Sequence, residues 1–441
     1  MSSKPTFRSI QAGSPYKTLG RWQTALIFIT NEVGIGILSL PTAMQTLGLL
    51  PGIIAIVGLG LLVTYTGYIL GQFYKRYPTV MNIVDCCQVM GGVPLAWVGA
   101  IAFELNIVLA CASALLTMSI ALNTMANHAM CTIWFVAVPA VVSCLLCIPR
   151  KFKFIAHFGI PSTISVVPAL LIVMISLGAA DRPQRAPPGW EKKIVVIRHP
   201  TFRDGLNACL NIAFAYSGNQ GFVTVMAEMK DAGKDFTPAL VMLQAFAIPT
   251  YTIVAVVIYA LAGEYTTSPA LGSAPIVPAK VAYGVLLPCL LGTAIVFGHT
   301  AVKYLFVVAL RRIGAEEDYT RNTKRSWPLW IGIGVVFWIL AFLLANAIPV
   351  FTSILSIMAA LFVAWFTFGL SAVLWLFLNW KTQFSSKRRT ALAILNWTII
   401  VVTIFVNVAG MWASVSSLLA VFGDPTQEIN GPFTCADNSL F

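Results

Sequence analysis

Apolar residues run along this chain in blocks, each about as long as the ~20 residues that cross a ~30 Å hydrocarbon layer as a helix. The blocks predict about eleven spans, at 22–47, 51–74, 94–121, 132–149, 153–179, 203–228, 237–262, 276–310, 327–346, 349–379 and 391–421. The polar segments between them are short, so no sizeable soluble domain is expected. Residues 79–91 (TVMNIVDCCQVMG) follow Arg76-Tyr77-Pro78 and are too short and mixed to span. They predict an interfacial helix on the cytoplasmic face. The pattern gives an all-α polytopic membrane protein.

Composition agrees. Of the 441 residues, 58% are hydrophobic and 10% are charged, against about 25% charged in an ordinary soluble domain. The formal charge of +12 invites a nucleic-acid reading. Its placement argues against one, because the Lys and Arg sit in the gaps between apolar blocks, where basic residues set membrane orientation. With the N-terminus in the cytoplasm, the inside segments hold Lys4, Arg8, Lys17 and Arg21, then Lys75-Arg76, Arg150-Lys151 with Lys153, Lys230 and Lys234, Arg311-Arg312, Arg321, Lys324-Arg325, Lys381 and Lys387-Arg388-Arg389. The outside holds one basic loop, from Arg182 to Arg203, for which there is no physical account. An acidic tail with Asp424, Glu428 and Asp437 fits an outside C-terminus. The start is polar and basic and carries no cleavable signal pattern. Most of the nine Cys fall in apolar blocks, as small filler. Cys131 and Cys435 both fall on the expected outer face, which allows a disulfide and does not require one. Asn396-Trp397-Thr398 matches a glycosylation pattern but starts a span, and reads as chance.

Two spans are interrupted by polar residues and glycine. The first runs from apolar helix into Thr30-Asn31-Glu32-Val33-Gly34-Ile35-Gly36-Ile37 and back to apolar helix. A carboxylate at mid-membrane costs ~2.5–3.5 kcal/mol on insertion scales, and the glycines weaken the helix there. Irregular backbone at that depth must face protein or water, so this stretch predicts a broken helix around a cavity. Small-residue helix packing is the competing reading, but Gly34-x-Gly36 lacks its four-residue spacing. The sixth span repeats the theme at Phe214-Ala215-Tyr216-Ser217-Gly218-Asn219-Gln220-Gly221. Upstream, Asp204, Asn207 and Asn211 share one helix face, which Gly218 continues. A polar face glued to neighbouring helices would give the same stripe.

Breaks in the first and sixth spans are what a five-plus-five inverted repeat produces. Half-helix N-termini offer free N–H groups to a carboxylate, and half-helix C-termini offer carbonyls to an ammonium. A zwitterionic amino acid matches both, with an apolar wall including Ile35, Phe214 and Tyr216 around its side chain.

At these residues the chain resembles the amino acid/auxin permease family, most of all its fungal neutral amino acid permeases. The segments NEVGIGILSLPTAM (31–44), YKRYPTVMNIVDC (74–86), FRDGLNACLNIAFAYSGNQGF (202–222) and VMAEMKD (225–231) carry the resemblance, which covers nearly the whole chain. It implies eleven spans, a leucine-transporter-type fold with one extra C-terminal helix, and amino acid uptake driven by protons or sodium. It implies substrate binding by Thr30, Asn31, Val33, Gly34, Ile35, Gly36 and Ile37 and by Ala215, Tyr216, Ser217, Gly218 and Asn219, to which the apolar wall adds Phe214. This chain departs from many relatives by having Asn219 where they carry His.

The expected organisation is a cytoplasmic segment at 1–21, a first repeat at 22–179 broken near 31–36, and an extracellular loop at 180–202. A second repeat follows at 203–379, broken near 217–221, then a cytoplasmic loop with the last span at 380–421 and an extracellular tail at 422–441. The intramembrane titratable groups are few: Glu32, Glu104, His299 and Lys303. Such groups usually face the interior and serve transport. His299 and Lys303 are four apart on the eighth span. In this fold the first and eighth spans frame the cation site of sodium-coupled members, and a Lys303 ammonium could stand there instead, against Glu32. A static ion pair or a snorkelling Lys is the structural alternative.

The expectation is a proton-coupled symporter of neutral amino acids in the plasma membrane, monomeric, with no cofactor, no metal and no enzymatic activity. Sodium coupling and the vacuolar membrane are the alternatives. A channel would need a polar pore ring, and an enzyme would need clustered groups where His128, His157, His199 and His299 are scattered. An amino acid sensor on the same scaffold would more often carry a long cytoplasmic tail.

Overall fold

The computed structural model describes residues 17, 19–150, 152–319, 323–424 and 431–439, without the side chains of 152–163 and 316. Most of the expected N-terminal segment (1–16 and 18), Lys151, Arg321, and residues 425–430, 440 and 441 of the expected tail lie outside the described residues.

Helices α1 (Arg21–Glu32) and α2 (Leu40–Leu47) flank the first interruption, joined by a 3-10 turn at Ile35–Ser39. α3 (Leu49–Arg76), α4 (Ile83–Ala126), α5 (Thr132–Leu146) and α6 (Phe152–Ala179) follow. α7 (Phe202–Ala215) and α8 (Asn219–Glu228) flank the second interruption. Then come α9 (Ala232–Ala262), α10 (Ile276–Arg312), α11 (Ser326–Ala347), α12 (Phe351–Met358), α13 (Leu370–Asn379) and α14 (Lys387–Gly423). π-helical turns at Ala359–Gly369 join α12 to α13.

Among the described residues, seven helical stretches can cross a membrane by length and composition, or eight with α1 and α2 taken as one bent span. α5 and the described part of α6 are shorter apolar helices. The helix expected over 79–91 forms and is continuous with α4, separated only by a kink at Gly91-Gly92. Gly92 sits at φ +67°, a conformation that favours glycine. Asn82 caps this helix by accepting from the Asp85 N–H at 2.9 Å.

Burial separates centre from rim. In α4, 89% of the apolar stretch is buried; in α14, 22% is. The outward face of α14 exposes Val401, Phe405, Val408 and Trp412, as a lipid-facing helix must. Asn396 is instead buried inside α14 and donates to Tyr65 Oη and to the Leu392 carbonyl. That agrees with a chance glycosylation match.

The two ends of the bundle are tied differently. On the side of the α1 start, Leu19 pairs with the strand-like end of α8, its N–H on the Glu228 carbonyl at 3.1 Å. Arg21 donates to Asp235 of α9 at 2.9 Å. Beneath the breaks, Phe28, Phe222 and Phe236 pack ring on ring, with centroids 4.5 to 6.0 Å apart. Such pairs contribute ~0.5–1.5 kcal/mol each beyond burial. At the other end, Cys131 and Cys435 form a disulfide, the option the sequence left open. The tail that it anchors crosses the ends of α4, α5 and α11. The Phe433 N–H meets the Asn346 carbonyl at 3.0 Å, and Asn123 Nδ2 donates to Asn438 Oδ1 at 2.8 Å.

Candidate functional site

Both interruptions are real breaks. α1 stops at Glu32, and its axis turns by 43° into the segment that begins at Ile35. The Val33 N–H still closes on the Ile29 carbonyl at 2.8 Å; Gly34, at ψ −134°, then leaves helical geometry. α7 stops at Ala215, and α8 begins at Asn219, leaving Tyr216-Ser217-Gly218 between them. Gln220 and Gly221, expected within the second interruption, lie in the first turn of α8. The leading N–H groups of the Ile35 turn and of α8 have no acceptor within their own helices, as at any helix start.

The breaks pack on each other. A Cβ on Gly36 would lie 2.6 Å from the Ala215 Cα, and a Cβ on Gly218 would lie 2.5 Å from Glu32 Oε2. Each break therefore supplies a glycine where the other presses closest. By contrast, a Cβ on Gly34 would meet nothing within 4 Å. Val33, Ile35, Ile37, Phe214, Ala215 and Tyr216 are buried around this contact, whereas Asn31 is exposed. Thr30 is half-buried and turns its hydroxyl back to the Leu26 carbonyl at 2.7 Å. Ser217 is half-buried at the break itself.

Two residues of α9, absent from the sequence-based set, hold the breaks together. Tyr251 is fully buried, and its hydroxyl reaches the carbonyls of both Glu32, at 2.8 Å, and Ala215, at 2.9 Å. Those are the last carbonyls of α1 and of α7. Gln244 Nε2 donates to Glu32 Oε1 at 3.0 Å. Gln244 and Tyr251 are seven apart and so share a helix face. A lone Gln in an apolar span was the available signal.

Asn219 is fully buried at the α8 start. It donates through Nδ2 to Thr66 Oγ1 of α3 at 2.8 Å and to the Thr367 carbonyl at 3.3 Å. Thr367 lies in the π-helical turns, whose looser geometry frees carbonyls for side-chain donors. Asn407 of α14 uses the same opportunity, at 2.8 Å from the Ala360 carbonyl. The polar stripe on α7 packs against α14: Asn207 donates to the Ala413 carbonyl at 3.1 Å, and Ser414 donates to Asn207 at 3.1 Å. That part of the stripe is interhelical glue.

His299 is buried, 3.2 Å from the Pro149 carbonyl and packed against the Trp330 ring. Lys303 is half-buried, in the electrostatic field of Glu228 and His299. Around Glu32 stand Gln244, Tyr216 and Tyr251. Glu104 is buried in α4 with neither oxygen hydrogen-bonded, in the field of Tyr304. Beside it, Asn106 donates to Gln220 of α8. Among the described residues, no three His, Cys, Asp or Glu group as a metal site would require.

Residues 17–416 match a family described as transmembrane amino acid transporter protein. Among its relatives, the N amino acid transport system protein of Neurospora crassa is 29% identical over 96% of this chain and 89% of its own length. A transmembrane transporter of Gibberella moniliformis is 29% identical over 100% of this chain and 92% of its own. Two solved structures share the architecture. A substrate-bound, outward-open sodium-coupled sialic acid symporter is 10% identical, with a TM-score of 0.52 over 91% of each chain. Inward-facing Mhp1 is 11% identical, with a TM-score of 0.55 over 94% of each. At such identity the likeness shows the fold alone, and that is the leucine-transporter type that the family resemblance implies. The chain belongs to the transmembrane amino acid transporter family.

Proposed function

We propose that this transporter is a proton-driven symporter of neutral amino acids that works by alternating access around the two breaks. The mutual contact of the breaks carries the reading: half-helix ends of both polarities meet beside a buried carboxyl, Glu32. The N–H groups heading the Ile35 turn and α8 suit a substrate carboxylate. The open space beside Gly34 leaves room for one. The carbonyls of Glu32 and Ala215 are engaged by Tyr251 in this conformation, so a substrate ammonium would exchange with that hydroxyl. Buried Ile35 and Phe214 supply an apolar wall, which favours uncharged side chains. The Neurospora relative is named as an amino acid transport system protein, which fits an amino acid substrate.

Proton coupling is favoured over sodium because the carboxyls buried among the described residues, Glu32 and Glu104, each keep an oxygen without a hydrogen-bond partner. With α5, α6 and the α7–α8 pair taken as spans, the chain crosses eleven times. The N-terminus is then cytoplasmic and the Cys131–Cys435 face lies outside, where disulfides persist. The plasma membrane fits this orientation. The test is uptake into proteoliposomes under imposed ion gradients, with a competition panel of all amino acids at two pH values. Accumulation that needs sodium and ignores a pH gradient would refute the coupling, and competition by charged amino acids alone would refute the substrate class.

A further inference from the structure

Glu32 and Gln244 share one hydrogen bond, and each keeps a second oxygen buried. Gln244 Nε2 donates to Glu32 Oε1 at 3.0 Å, while Glu32 Oε2 and Gln244 Oε1 are both buried without a hydrogen-bond partner. An ionised carboxylate and an amide oxygen only accept, so neither can satisfy the other. Rotating the amide by half a turn brings no relief, since it would place two acceptors face to face at the end now bonded. A protonated carboxyl donates one O–H. A single proton on Oε2, taken from water, would close an acid–amide ring of two bonds and supply both oxygens at once.

We propose that Gln244 is the proton-recognition partner of Glu32, accepting from Oε2–H when the coupling proton is bound. The inference rests on the proton-symport reading of Glu32 and adds the residue that senses the proton. Among the described side chains, the titratable groups facing Glu32 are the phenols of Tyr216, from the second break, and Tyr251, from α9. Among the described side chains, the charged groups of the neighbouring elements stand at helix ends: Arg203 and Asp204 on α7, Glu228 on α8, Lys234 and Asp235 on α9; α6 also packs on α1, and its Lys153 and His157 side chains lie outside the described ones. On α1 itself Arg21 is engaged with Asp235. Release of the proton sets the Glu32 and Gln244 oxygens against each other and weakens the α1–α9 contact. Tyr251, on the same face of α9, passes the change to the end of α7 through the Ala215 carbonyl.

The test compares wild type with Gln244→Met, a near-isostere without the acceptor, and Glu32→Gln. Each is purified and followed by pH-difference infrared spectroscopy and by uptake in proteoliposomes. The wild type should show a buried carboxylic acid C=O band that appears as pH falls. Glu104→Gln marks the component that belongs to the other buried carboxyl; the remaining component should vanish in Glu32→Gln and move in frequency in Gln244→Met. Proton-driven accumulation should fall by about tenfold or more in Gln244→Met, the effect of losing one hydrogen bond to an ionisable group. A spectrum in which Glu32→Gln removes no component, or in which Gln244→Met leaves the Glu32 component unmoved, overturns the proposal without reference to transport. Sodium-driven uptake by the wild type would overturn the underlying symport reading instead. Because the spectrum is read on folded protein that need not transport, an inactive variant still decides the matter.

Discussion

Gly36→Ala is the sharpest test of the contact between the two breaks. The added Cβ would sit 2.6 Å from the Ala215 Cα and 3.2 Å from its backbone nitrogen. Carbon atoms in good contact stand ~3.5–4.0 Å apart, so the Ile35 turn and α7 must separate by about 1 Å. The obstacle is backbone in both directions, and no rotamer change relieves it. Overpacking of this kind costs ~1–3 kcal/mol, equivalent to about 5–150-fold in an equilibrium. Uptake of a neutral amino acid, normalised to protein at the membrane, should fall within that range, and the melting temperature in detergent should drop. Gly58→Ala is the control, since a Cβ there meets nothing within 4 Å and a mid-helix alanine is stabilising by ~0.5–1 kcal/mol. Wild-type uptake and melting in Gly36→Ala would show that the breaks do not bear on each other, and the argument for a shared site would fail.

Tyr251→Phe removes the hydroxyl shared by Glu32 and Ala215. Leaving buried acceptors unsatisfied costs ~1–3 kcal/mol, so transport should fall several-fold or more; unchanged uptake would contradict the bridge. Asn219→Ala should lower stability by ~1–3 kcal/mol, because Thr66 loses its partner in a buried site; thermal unfolding in detergent measures it. Cys435→Ser should make Cys131 reactive to an impermeant maleimide added outside intact cells, whereas labelling only after permeabilisation would reverse the proposed orientation. Asp235→Asn breaks the half-exposed pair with Arg21 and should change stability by no more than about 1 kcal/mol.

How far the sequence disclosed all this depended on the range of each interaction. Hydropathy alone delivers the helices, because each must satisfy its own backbone within a local stretch. The breaks were readable because glycine and polar residues at mid-span conflict with local helix formation. The kink at Gly91-Gly92 lay at the boundary already drawn between interfacial helix and span. The α9 contribution was not readable: Gln244 meets Glu32 across 212 residues and Tyr251 meets the same residue across 219. Nothing within α9 names that partner. The π-helical turns occupy Ala359–Gly369, apolar but for Thr367. Their wider geometry is accompanied by donors from outside, Asn219 and Asn407, so no local pattern announces it. The disulfide closes over 304 residues, and its sequence signal was only that both cysteines fell on one face.

The glycines of the two breaks are subject to unequal histories. At position 36 the obstacle is the main chain of Ala215, which every residue type shares, so no substitution elsewhere in the lineage can make room. At position 218 the obstacle is the carboxyl tip of Glu32, and its removal clears the way. Among descendants of a common ancestor, Gly36 should therefore persist unconditionally, while Gly218 should be free to drift only in branches that had already given up the acid at position 32.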